Sequence, residues 1–158
     1  MILFVRNKCF ISVFLAILAL LLLFSLSNVS AAVHNLNNSS TTSNLQNTIN
    51  NDPGSDVIVN LAEGNYNFGQ INISRNATIQ GVNNNVKING TGTLFNITAP
   101  NVKLINLTIT GYSTAVISNS SGLTIANNDI TTSSSSIVIG NSANDLKGIE
   151  RKAKPFLQ

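Results

Sequence analysis

Side chains able to do acid–base or metal chemistry are scarce in this 158-residue chain, which has six carboxylates, one histidine and one cysteine. Glycoside hydrolysis takes a pair of carboxylates flanking the bond to be cut, one of them acting as acid. A calcium site wants about six to eight oxygen ligands. Asp52, Asp56 and Glu63 crowd together early in the chain, and Asp145 and Glu150 lie near its end. Only Asp129 remains in the long stretch between them, accompanied by Arg75, Lys87 and Lys103. One carboxylate cannot be both acid and base, so Asp129 is expected to be a turn residue following Asn127-Asn128. His34 has no partner close in sequence and reads as a solvated side chain. No catalytic residue, cofactor or metal ligand is assigned on this pattern, and the expectation is a protein that is not an enzyme.

Asparagine is the other chemically suggestive residue. Asn72, Asn76, Asn89, Asn96 and Asn119 each stand two positions before a Ser or Thr, as do Asn37, Asn38 and Asn106, and so match the N-glycosylation acceptor pattern. Composition makes such triplets by chance, because Asn, Ser and Thr are 51 of the 126 residues from Val33 onward. These residues favour turns over helices, with Thr also at home in strands. A helix bundle is therefore excluded.

The ends differ from the middle. Arg6 and Lys8, the apolar run Val13 to Phe24 and the small residues Ser30-Ala31-Ala32 have the order of a secretory signal, assigned to residues 1–32. A retained anchor is the alternative, since Cys9 to Leu26 is interrupted only by Ser12 and Ser25. Removing the segment lowers the formal charge from +3 to +1 and takes away Cys9, leaving neither disulfide nor thiolate. Much of the remaining positive charge lies in a divergent basic tail, residues 144–158. No basic face for nucleic acid is evident, and a membrane is implicated only through the signal segment. Residues 33–42 read as a flexible polar leader. In Ser43 to Ile49 the apolar Leu45 and Ile49 are four apart, on one face of a short helix with Ser43 as its N-cap.

From Val57 the chain is a series of short runs, most alternating apolar and polar, separated by Asn- and Gly-rich turns such as Glu63-Gly64-Asn65 and Gly81 to Asn85. Val102, Leu104, Asn106 and Ile109 recur as Leu123, Ile125, Asn127 and Ile130, each 21 residues later. The same offset links Phe95, Val116 and Ile137, and also Ile97, Ser118 and Ile139, whose middle member is polar. Ala77 and Ile79 precede Val102 and Leu104 by 25, which places extra residues in a loop between. A fixed period of strand-like units means a solenoid, each turn burying its apolar face on the next. Asn106 and Asn127 are expected to form a two-rung amide ladder. Alternation turns Asn72 and Asn96 outward, so glycans are expected there before Asn106.

Thr48 to Asp52, Val57 to Tyr66 and Asn72 to Gly81 resemble the opening of a pectin-lyase-like right-handed parallel β-helix. Together with the signal segment and the Asn/Thr richness, the chain from Thr48 to Ser142 resembles adhesin-like surface proteins of archaea. The resemblance implies an all-β solenoid over 43–143, capped at its N-terminal end by the short helix. It also implies a secreted or cell-surface location, with cell-wall or host glycans as partners. An N-terminal fragment of a polysaccharide lyase or hydrolase, or a truncated nonfunctional product, is the alternative. The abrupt tail favours truncation over a basic contact segment or a small C-terminal cap.

Overall fold

Runs of Val, Ile, Thr and Phe alternating with polar residues form thirteen strands and one helix within residues 31–140, the part that the computed structural model describes. The expectations for the signal segment before residue 31 and for the 144–158 tail lie outside the described residues. In chain order the first elements are β1 (Ala32–Leu36), α1 (Thr42–Asn51), β2 (Val57–Leu61), β3 (Gly64–Asn67), β4 (Ile71–Ile73), β5 (Ala77–Gly81) and β6 (Val86–Asn89). There follow β7 (Thr93–Ile97), β8 (Lys103–Ile105), β9 (Thr108–Thr110), β10 (Thr114–Ser118), β11 (Thr124–Ala126), β12 (Asp129–Thr131) and β13 (Ser135–Ile139).

Three parallel sheets stack the coils. The first runs β1-β2-β5-β8-β11, the second β3-β6-β9-β12 and the third β4-β7-β10-β13. This is a parallel β-solenoid. The repeat read from the sequence is its register: Leu104 pairs with Ile125, Ile109 with Ile130, and Phe95 with Val116 and then Ile137. Equivalent apolar side chains thereby pack one above another, and Val59, Ile79, Leu104, Ile88, Ile109, Phe95 and Val116 are completely buried. Ser118, the polar member of its row, is buried too, and its hydroxyl donates to the Ser120 carbonyl at 3.3 Å. Glu63-Gly64-Asn65 is not wholly a turn, because β3 already begins at Gly64.

Inside, Tyr112 donates from its hydroxyl to the Phe68 carbonyl at 2.5 Å, and burial pushes that phenol up to about 12. A Cβ on Gly90 would lie 2.4 Å from the same oxygen, so only glycine leaves room for the ring.

The N-terminal end is where the structure departs most from the sequence reading. Residues 33–36 of the expected leader are not flexible, and Ala32, assigned to the signal segment by the sequence reading, is continuous with them. They form β1, which adds a strand to the first sheet in register with β2 from Ala32↔Val57 to Leu36↔Leu61. The N-cap of helix α1 is two residues earlier than expected: it is Thr41, not Ser43, in a reciprocal capping box with Asn44. Leu45 and Ile49 lie on its buried face at 0% exposure, closing the core. Gln46 acts as a one-residue substitute for a missing strand. Its amide donates to the Asn72 carbonyl and accepts from the Asn72 N–H, both at 2.8 Å, on the edge of β4. Thr42 accepts from the Gly69 N–H at 2.7 Å. An unpaired sheet edge invites further strands, and β1, Thr42 and Gln46 occupy these edge positions.

Leu45→Ala leaves a cavity over the first coil and is expected to cost about 2–5 kcal/mol, read as a lowered midpoint in urea unfolding. An unchanged midpoint would mean that α1 is not packed on the solenoid.

Candidate functional site

The corners between the first and second sheets decide the surface. Nine residues separate Ile79 from Ile88, but five separate Leu104 from Ile109 and five separate Ile125 from Ile130. The whole difference between the 25- and 21-residue offsets therefore lies in one corner, the exposed loop Val82 to Asn85. The later corners are tight, and each turns on an asparagine in the left-handed region, Asn106 (φ 57°) and Asn127 (φ 55°). Asn tolerates that conformation better than other residues with a Cβ. Against the first of these corners, a Cβ on Gly81 would lie 2.3 Å from the Asn106 carbonyl oxygen, which explains the glycine.

The long loop standing beside two tight corners creates a groove of about 570 Å³ lined by Asn84, Asn106, Leu107, Thr108, Asn127, Asn128 and Asp129. The expected amide ladder between Asn106 and Asn127 is not present. Asn106 donates to the Gly81 carbonyl instead, at 3.4 Å. The 21-residue spacing of these two residues answers a backbone demand at the corner. Asn128 is the bridging residue: its amide accepts from the Leu107 N–H at 2.7 Å and donates to the Leu104 carbonyl at 2.8 Å. Asp129 is also corrected, because it is the first residue of β12, exposed on the outer face beside Thr108, and not part of the turn. Among the described residues, the side chains of Asn84, Thr108, Asn127 and Asp129 make no hydrogen bond, so two amides, a hydroxyl and a carboxylate converge uncommitted on one groove.

Amide ladders do occur, at positions the repeat did not single out. Gln80 donates to Asn60 at 2.7 Å and Asn60 to Asn35 at 2.9 Å, a three-rung ladder on the first sheet. Asn96 donates to Asn72 at 3.1 Å on the third. Both of those sequon residues face outward, with Asn72 exposed and Asn96 half-buried. Asn89 and Asn119 are exposed and Asn76 is half-buried.

His34 is not a solvated leader residue. It lies on the core-facing side of β1, and its Nε2 is 2.5 Å from Oδ2 of Asp52, whose side chain is fully buried. Arg75 donates to the carbonyls of Asp52, at 2.5 Å, and Gly54, with its guanidinium 4.0 Å from the Asp52 carboxylate. The Gly54 N–H donates to the same carboxylate at 2.6 Å. The hydrogen bond from His34 holds the Asp52 carboxyl below its ordinary range, helped by the Gly54 N–H and the nearby charge and opposed by burial. Nothing in the sequence announces this cluster, since 18 residues separate His34 from Asp52 and 23 separate Asp52 from Arg75. It ties β1 to the end of α1. Among the described residues no three His, Cys, Asp or Glu side chains come together.

Compared with protein-family models, with curated proteins and with solved structures, the chain gives no match. The parallel β-solenoid stands on the geometry itself.

A carboxyl whose folded pKa is depressed contributes stability that is present above its unfolded value and is lost as pH falls through the folded one. Unfolding followed by urea from neutral to acid pH should show the wild type losing stability below pH ~4. Asp52→Asn should be less stable at pH 7 and lose less on acidification; parallel curves would refute the role given to this carboxylate.

Proposed function

We propose that the chain is an adhesin-like β-helix, secreted or held at the cell surface, with a structural and glycan-binding role and no turnover of its own. The observation that carries this reading is the groove, where Asn84, Thr108, Asn127 and Asp129 offer hydrogen-bond donors and acceptors that are not used within the described residues. Polyhydroxyl ligands are the natural match for such a set, since each hydroxyl both donates and accepts. The outer faces add rows of similar groups: Asn67, Asn89, Thr110 and Thr131 stand in register on the second sheet. Neighbouring rungs are ~4.8 Å apart, close to the length of one pyranose ring. Weak contacts repeated at that spacing add up through avidity along a polymer.

Hydrolysis requires a second carboxylate beside the first, and among the described residues Asp129 is the single one lining this groove. The signal-like segment ending at Ser30-Ala31-Ala32 supports export, and with it a ligand among wall or host glycans.

Titration with hydroxyl-rich oligosaccharides tests the reading. Asn84→Ala, Thr108→Val and Asn127→Gly combined remove three of the four free groups while keeping the left-handed corner. They should weaken binding at least about tenfold, as loss of two or three hydrogen bonds does, with the melting temperature little changed. Wild-type protein that binds no such ligand, or a variant with undiminished affinity, would overturn it.

A further inference from the structure

Resting on that binding reading, we infer that Asp129 makes the groove selective for polyhydroxyl ligands carrying positive charge, namely oligomers of a free amino sugar, over N-acylated or acidic ones. Among the described residues, Asp129 is the only charged side chain that lines the groove. It stands at the end of an outer-face row, Asn65, Lys87, Thr108 and Asp129, held in register by the second sheet. Lys87 stands two strands away in the same row, and no salt bridge joins it to Asp129 among the described residues. The intervening position is the uncharged Thr108.

The other cations of the described residues are placed elsewhere. Arg75 is bound to the Asp52 and Gly54 carbonyls at the N-terminal end. Lys103 lies on the first sheet between Thr78 and Thr124. Among the described residues Asp129 forms no ion pair, since the salt bridges there involve only His34, Asp52 and Arg75. A carboxylate flanked by a free hydroxyl and a free amide accepts charge-assisted hydrogen bonds from an ammonium. It repels a uronate at the same place, which gives selectivity by exclusion as well as attraction.

The test uses glucosamine tetramer, its N-acetylated counterpart and galacturonate tetramer, titrated at slightly acidic pH into the whole secreted chain and into Asp129→Asn. The wild type should bind the amine form about fivefold tighter than the acetylated form, the size of one favourable exposed ion pair, and galacturonate most weakly. High salt should erase the preference. Asp129→Asn should bring the amine and acetylated forms to equal affinity and relieve the discrimination against galacturonate. Equal wild-type affinity for amine and acetylated forms would overturn the charge selectivity and leave the binding reading standing. Failure to bind any of the three would remove both.

Discussion

Parallel pairing of each coil on the one before it is the constraint from which the other features follow. Once Leu104 sits on Ile125 and Phe95 on Val116, every side chain is fixed above its counterpart in the neighbouring coil. Inside, the rows must be apolar or internally bonded, as Ser118 is. Outside, like groups meet at a single strand spacing, and amides that meet this way bond one another, as Asn35, Asn60 and Gln80 do. Length differences can be absorbed only at corners. The four residues Val82 to Asn85 protrude for that reason, and their protrusion beside the tight corners of the next coils makes the groove.

The same constraint sets the task of the N-terminal segment. A stack of parallel coils begins with open edges and an exposed slice of core. Here the two are met by different devices: main-chain pairing by β1 on the first sheet, and side-chain amide and hydroxyl groups of Gln46 and Thr42 along the third. Leu45 and Ile49 cover the core slice. The His34–Asp52–Arg75 cluster then fastens β1 to the end of α1, so cap and rod form one unit.

Much of this fold was legible in the sequence, because hydrophobic period and register are the same information. The 21-residue offset predicted the pairings of the later coils, and Leu45 and Ile49 marked the capping face. What stayed hidden depends on position in space. Residues 32–36 alternate too weakly to read as a strand by themselves, and only the waiting edge of β2 recruits them. His34 looked solvated because its partner lies across α1. Asn106 and Asn127 share a role, but their left-handed backbone decides it, and asparagine serves corners and ladders alike. The groove needed one long corner beside two short ones, and that signal was present as the change from 25 to 21 residues without its meaning being evident.

Disulfide trapping in the register itself tests the central claim most directly, and the described residues contain no cysteine to interfere. Thr110 and Thr131 are partners on neighbouring strands of the second sheet, at a separation of ~4.8 Å that a disulfide spans. Thr110→Cys with Thr131→Cys should cross-link on mild oxidation. Thr110→Cys with Asp129→Cys, displaced by two residues and so more than ~7 Å apart, should not. Cross-linking of the displaced pair in preference to the aligned one would contradict the register, and with it the rows, the corners and the groove that depend on it.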